Sequence, residues 1–446
     1  MALNFRKVRI GFMNLILDFL EGQDKAVKMS KDIIAFMRKD MGLDVVEFDE
    51  PVAKREQAAA AWKKFNGADV DAIILFSGTF NTGELAAEIV RNTRCPLASW
   101  GIGELNLATK NFSGSVVGVM PVGSICKAFD RRFSMIYGPI EDPKVRRQLD
   151  VFVRAVRAIA YLREAAIGVI GMRPDGFQIA GFDELGIKQL VGTEIKKVSL
   201  YGLSKLVNAV SDKEIDADME VQKKIFDIPK DGEKGARGLS QVYLALQKVI
   251  KEKNLQAFAP ECWPEFRDED ARPFCPANGR LSAEGVMASC ECDVDGALTM
   301  MMLHAILEGT PWFADLVDVR AEHDALLFWH CGNASHTLGP KKPKIEKVFG
   351  GPSQIHSLKA GTVTVCRMHS THGKFMIHAG IGQAIEADPV LKGSNMLIRM
   401  KGGNMEFVKS LLANGIPHHN ALIYGDCLEE IREYAALMDI PLVIKD

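Results

Sequence analysis

The run Ala72-Ile73-Ile74-Leu75-Phe76, followed by Ser77-Gly78-Thr79-Phe80-Asn81-Thr82-Gly83, decides how the chain is read. Five consecutive apolar residues bounded by turn residues predict a short strand covered on both faces. A helix is predicted from Glu84. Toward the N-terminus, Val8-Arg9-Ile10-Gly11-Phe12 and Val45-Val46-Glu47-Phe48 predict two more strands. Between them, residues 22–41 place Ala26, Met29, Ile33, Ile34 and Met37 on one helical face. Alternating strand and helix is the pattern of a parallel α/β sheet. Ligands in such sheets meet the loops at strand carboxyl ends. Ser77–Gly83 and Trp100-Gly101-Ile102-Gly103-Glu104 are therefore candidate site loops, although their glycines equally suit tight turns.

Toward the C-terminus, Val145, Leu149, Phe152, Val153, Val156 and Ile159 recur at helical spacing from about Pro143 to Arg163. A fresh strand, Ala166-Ile167-Gly168-Val169-Ile170-Gly171, then starts a second α/β unit, which places a boundary near 163. Past about residue 330 the texture changes. Thr362–Met368 and Asn395–Met400 are strand-like and glycine-punctuated, and Ala421–Tyr424 leads into a helix over Leu428–Met438. The predicted domains are 1–163 (α/β), 164–312 (α/β, carrying Glu291) and 313–446 (β-rich).

The 446 residues hold 55 Lys and Arg against 57 Asp and Glu, a formal charge of −2, without the basic excess of a nucleic-acid binder. Apolar residues make up 47% and charged residues 25%, an ordinary globular balance. No window approaches 18 uncharged apolar residues, so no membrane span is expected. The first residues lack the pattern of a secretory leader, and nine cysteines without a regular framework read as reduced thiols, so a cytoplasmic protein is expected. The expected partner is a small molecule, with neither nucleic acid nor membrane.

Chemistry concentrates late. All ten histidines lie between His304 and His419, and histidine is both a common metal ligand and an acid or base near neutral pH. Residues 288–315 are sharper: Ala288-Ser289-Cys290-Glu291-Cys292-Asp293-Val294-Asp295-Gly296, an apolar helix Ala297–Leu307, then Gly309-Thr310-Pro311-Trp312-Phe313-Ala314-Asp315. Glu291 at a strand end and Asp315 after the returning helix are two carboxylates that can share a cation or divide acid and base roles. Asp293 and Asp295 read as the N-cap and first turn of that helix. Cys290 and Cys292, without a second pair, fall short of zinc spacing. His304 reads as a core histidine. Residues alternate across a strand, so only one of His418-His419 is expected to reach a given site. His330 ends the run Ala325–Trp329, and a satisfied imidazole is its plain alternative.

Ser289-Cys290-Glu291-Cys292-Asp293 with Gly296-Ala297-Leu298-Thr299-Met300 and Phe313-Ala314-Asp315 resembles the L-fucose isomerase and L-arabinose isomerase superfamily, in its fucose-isomerase-like branch. Glu261-Cys262-Trp263-Pro264-Glu265, Gly168–Phe177, and His418-His419 ahead of Tyr424-Gly425-Asp426 support it. The resemblance implies two Rossmann-like α/β domains and a C-terminal β-barrel. It also implies a homo-oligomer, hexamer or trimer, with sites between subunits. It implies Mn²⁺ held by Glu291, Asp315 and a late histidine, with His419 favoured over His418. His330 lines up with a further metal-ligand histidine of the arabinose branch. The same two acids would perform aldose–ketose isomerisation through an enediolate.

Carboxylates with imidazole and open positions suit Mn²⁺ or a similar cation. Trp263, Trp329, His369 and His372 are candidates for shaping the sugar pocket, with Arg173, Arg367 and Lys374 available for an anionic tail. The leading expectation is a metal-dependent aldose–ketose isomerase. The alternatives are an isomerase of a modified or anionic (for example sulfonated) sugar, or a non-catalytic sugar-binding protein. A zinc hydrolase lacks its helical H-x-x-x-H pair.

Overall fold

The computed structural model describes residues 5–20, 22–103, 114–371 and 373–446, and all counts refer to these. Glu104 of one candidate loop and His372 of the candidate pocket lie outside them.

The short apolar runs near the N-terminus become a five-stranded parallel sheet of β1 (Arg9–Leu15), β2 (Asp44–Glu47), β3 (Ala72–Ser77), β4 (Leu97–Gly101) and β5 (Ser134–Tyr137), ordered β2-β1-β3-β4-β5. Every residue of β3 is buried. Its alternate side chains feed two cores: Ile74 and Phe76 join Phe12 and Trp100 on one face, while Ile73 and Leu75 join Phe65 and Leu85 on the other. Gly78 lies where a Cβ would come within 2.6 Å of Ala26 Cβ, so glycine lets the loop after β3 touch the first helix. In the Ser77–Gly83 loop, Asn81 Nδ2 donates to Ser77 Oγ (3.0 Å), and Thr79 Oγ1 accepts from the Leu17 N–H (3.0 Å).

The second sheet is also parallel, with β6 (Ala166–Ile170), β7 (Glu194–Val198), β8 (Ala257–Pro260) and β9 (Met287–Ala288) in the order β7-β6-β8-β9. The strand order reverses beside β6, which opens a crevice at the carboxyl ends of β6 and β8. The helix Val294–Leu307 follows β9 and is buried from Val294 to Ile306. That matches its apolar residues on all sides.

The C-terminal strands are β10 (Trp312–Arg320), β11 (Ala325–His330), β12 (Lys344–Val348), β13 (Gly351–Ser357), β14 (Gly361–Thr371), β15 (Lys374–Ile385), β16 (Ser394–Met400), β17 (His419–Tyr424) and β18 (Leu442–Lys445). Their sheet closes on itself because β15 also pairs with β16. The ring β16-β11-β10-β17-β14-β15 is antiparallel at every step. Closure leaves those strands no free edge. Trp312, Leu326, Phe328, Val365, Ile398 and Leu422 are among the residues of its core.

Two compact units emerge. One comprises Phe5–Ala160 with Glu429–Ile440; the other comprises Tyr161–Leu428 with Pro441–Asp446, so the second parallel sheet and the barrel share a unit. The helix Leu428–Met438 serves the first unit. Its Glu430, with a side chain 1% exposed, pairs with Arg147 at 2.8 Å, and Leu437 packs on the core that holds Phe12 and Trp100.

Candidate active site

The second unit gathers its acids by a forced turn. Asp293 caps the helix Val294–Leu307, its Oδ1 accepting the Gly296 N–H at 2.8 Å. The two residues before it, Glu291 (φ 57°) and Cys292 (φ 55°), are both left-handed, at about 1–2 kcal/mol each for a residue with a Cβ. The bend is held by the Asp293 N–H on the Cys290 carbonyl (2.9 Å) and by the Cys292 thiol on the Ile170 carbonyl (3.4 Å). Glu291 thus leaves the carboxyl edge of the second sheet, and Trp263 Nε1–H donates to its Oε1 at 3.1 Å.

The barrel supplies the rest. Asp315 on β10 sits opposite His419 on β17 and opposite Trp329 on β11. His419 Nε2 lies 3.4 Å from Glu291 Oε2 and 3.3 Å from Asp315 Oδ1. Its Nδ1 is 3.0 Å from Asp293 Oδ2. Both oxygens of Asp293 also take the Arg367 guanidinium, at 2.7 and 2.9 Å, with side chains 0% and 3% exposed. A carboxylate gripped this way accepts, so His419 donates from Nδ1 and turns the lone pair of Nε2 toward Glu291 and Asp315. Burial pushes the Asp293 carboxyl up, but Arg367 and His419 outweigh it and hold it well below the usual range. Burial also raises Glu291, against the pull of His419, His330 and Trp263.

Adjacent residues were expected to diverge at His418-His419, and they do not. His418 Nε2 is 3.5 Å from Asp315 Oδ1, and its ring centre is 4.1 Å from that of His419. His418 precedes β17, so strand alternation does not govern it. Burial, then the neighbouring His419, hold it down at about 4, so it is neutral near pH 7. His330, Asp315 and His419 also form a group whose ligand atoms lie within 4.8 Å of one another. The Cys331 N–H donates to His330 Nδ1 at 2.9 Å, which leaves the hydrogen of a neutral ring on Nε2.

The other expected residues are spread more widely. Trp263 packs edge-on against Phe177 (5.4 Å) as well as holding Glu291. Trp329 stacks beside His330 at 6.3 Å, and its Nε1 donates to the Lys392 carbonyl. Exposed Arg173 lines a cavity of about 410 Å³ with Lys197, Glu184 and Cys292. Arg367 is committed to Asp293 and is not free for a substrate tail. His369 is buried, with Nε2 beside Thr371 Oγ1 at 3.1 Å. Asp293 has the predicted cap role and also orients His419; the spacing of a cap residue carries no sign of that second partner, 126 positions away.

Glu291 Oε2 and Asp315 Oδ1 are buried and have no hydrogen-bond partner among the described residues. His419 Nε2 stands 3.4 Å from Glu291 Oε2 and 3.3 Å from Asp315 Oδ1, the spacing of neighbouring ligands about 2.1 Å from an ion, and it joins two groups of ligand atoms within 4.8 Å of one another, Glu291 with His418 and Asp315 with His330. The donor set therefore fits a divalent cation.

Residues 331–445 match the family model for the L-fucose isomerase C-terminal domain. A sulfoquinovose isomerase of Alkalicoccus urumqiensis is 27% identical over 386 residues, 84% of this chain and 86% of that protein. Another, of Priestia aryabhattai, is 23% identical over 405 residues, 89% and 90% of the two chains. An L-arabinose isomerase of Shouchella clausii is 19% identical over 360 residues, 77% and 73%. Over most of its length the chain is thus similar to sugar isomerases, and its last quarter matches the C-terminal domain of the L-fucose isomerases.

Proposed function

We propose that the chain interconverts an aldose and its ketose at the Glu291–Asp315–His419 cluster, with divalent-metal assistance. The observation that carries this reading is the pair of buried, unpartnered oxygens, Glu291 Oε2 and Asp315 Oδ1, facing the free lone pair of His419. Glu291, Asp315 and His419 would hold the ion, with His418 at its edge; Mn²⁺ suits this mixed oxygen and nitrogen set. Such an ion supplies Lewis-acid polarisation of two adjacent sugar oxygens.

The side chains do the proton work. One of Glu291 and Asp315 takes the proton from C2 and returns it to C1, while the other moves the hydroxyl proton, together contributing about 10²–10⁴-fold. Burial of Glu291 raises its basicity toward that task. His330, carrying its hydrogen on Nε2, is a donor beside the carboxylates. Trp263 fixes one oxygen of Glu291 and, with Trp329, walls the sugar pocket. The expected assembly is a homo-oligomer with sites between subunits, and nine free cysteines favour a reducing compartment.

A sulfonated sugar is the favoured substrate class, because relatives over 84–89% of the chain are sulfoquinovose isomerases. Arg173 and Lys197, lining one cavity with Cys292, are cations for such a tail. The test is ketose formation by the Mn²⁺-loaded protein across neutral, deoxy and sulfonated aldoses, alongside Glu291→Gln. Metal-dependent turnover lost in Glu291→Gln supports the assignment. Sugar binding indifferent to metal, with no turnover, would replace it with the binding-protein reading.

A further inference from the structure

Beside the carboxylate cluster lies a second group of different chemistry. Cys275, His330 and Cys331 present ligand atoms all within 4.8 Å of one another. Cys275 opens the helix Cys275–Ala283 and is 2% exposed. Cys331 directly follows β11 and is partly exposed, which gives the group an entry path. The loop carrying Cys331 is pinned, since Ser353 Oγ donates to its carbonyl at 2.6 Å. The next residue, Gly332, has φ 111° and lies where a Cβ would come within 3.0 Å of the Gln354 N, so no larger residue takes that turn unstrained.

We propose that Cys275, Cys331 and the Nδ1 of His330 form a binding site for a thiophilic divalent cation such as Zn²⁺ or Cd²⁺, separate from the carboxylate cluster but sharing His330 with it. The two groups differ in hardness. Thiolates select Zn²⁺ and softer ions, whereas carboxylates with imidazole favour Mn²⁺ and its like. A tetrahedral ion with bonds of about 2.3 Å to sulfur and about 2.0–2.1 Å to nitrogen sets its donors about 3.5–3.8 Å apart. Closing from a limit of 4.8 Å needs side-chain adjustment only. Nδ1 is the nitrogen turned toward Cys331; its lone pair accepts the Cys331 N–H at 2.9 Å, and a bound ion would take that lone pair in exchange for this hydrogen bond. Binding deprotonates both thiols and releases their protons to solvent. Resting on the isomerase reading, a second dication on His330 would repel the ion held by Asp315 and His419, so Zn²⁺ is expected to inhibit.

The experiment is a Cd²⁺ titration of the metal-free, full-length protein under a non-thiol reductant, read by the ultraviolet thiolate-to-Cd²⁺ charge-transfer band. One equivalent is expected to saturate the band. Cys275→Ala should weaken it at least about tenfold, the low end of losses near a metal centre, while Cys95→Ala in the other unit leaves it unchanged. Cys331→Ala repeats the test if Cys275→Ala fails to fold. No band in the folded, reduced protein, or an undiminished band in Cys275→Ala, overturns the site. None of these readouts involves sugar turnover, so they stand or fall apart from the isomerase assignment. In the Mn²⁺-loaded protein, Zn²⁺ should inhibit the parent and spare Cys275→Ala; equal inhibition of both would refute the coupling.

Discussion

Asp293→Asn isolates what orients the candidate metal site. The carboxylate makes four contacts: Oδ1 accepts from Gly296 N and Arg367 Nη2, while Oδ2 accepts from Arg367 Nη1 and faces His419 Nδ1. Asparagine keeps the shape and one acceptor, so the helix cap can persist. Its amide then puts donors against Arg367 and against the His419 N–H. Leaving a buried guanidinium without its counter-charge costs about 3–5 kcal/mol, and retained hydrogen bonding places the variant at the low end. The histidine relieves its own clash by moving its hydrogen to Nε2, which removes the lone pair facing Glu291 and Asp315. Loss of such a partner weakens metal binding about 10–100-fold. Calorimetric titration with Mn²⁺, beside urea unfolding followed by circular dichroism, measures both effects. Metal affinity within twofold of the parent would refute the claim that Asp293 sets the His419 tautomer, whatever the stability loss.

Trp263→Phe keeps the ring packing on Phe177 but removes the hydrogen bond to Glu291. Bonds to charged groups contribute about 1.5–3 kcal/mol, so kcat/KM should fall about 10–150-fold if the bond is felt in the transition state; an unchanged rate places Trp263 outside the reaction. Gly296→Ala would bring a Cβ within 2.6 Å of Phe313 Cζ and 2.9 Å of Arg367 Nη1, an overpacking worth about 1–3 kcal/mol, read as a lowered urea midpoint. Burial holds His356 and His378 down at about 4. Below pH of about 6.5 the unfolded chain therefore binds protons that the folded chain refuses until about 4, so stability present above pH 6.5 drains through that window. His378→Gln should shallow the slope of unfolding midpoint against pH; an identical slope denies His378 its share.

Periodicity and strand length carry far in this sequence. The run Ala72–Phe76 lies within β3, and the helix predicted over Leu428–Met438 has those limits. Glu291 and Asp315, read as the two acids either side of one buried helix, each come within 3.4 Å of His419. What local pattern could not carry is partnership across the fold. Nothing near Leu428 announces that its helix packs with residues 5–160, because an amphipathic face states that it will be buried, not against what. Asp293 reads as a cap because caps are local, whereas its bonds to Arg367 and His419 exist only once the barrel has formed. The ligand group of Cys275 and Cys331 escaped spacing rules for the same reason: 55 residues separate them, and the obvious pair, Cys290 and Cys292, sends the Cys292 thiol to a carbonyl instead.

The division of the chain has a consequence for synthesis. The first unit needs Glu429–Ile440, yet the whole of the second sheet and nearly all of the barrel are made before that segment appears. At about 5–20 residues per second, a ribosome takes some tens of seconds to travel from residue 160 to residue 429. Throughout that interval Arg147 has no Glu430, and the surface that Leu437 covers is bare. The nascent first unit therefore keeps part of its apolar core uncovered throughout that interval, and its last contacts close only once residues 429–440 have been made.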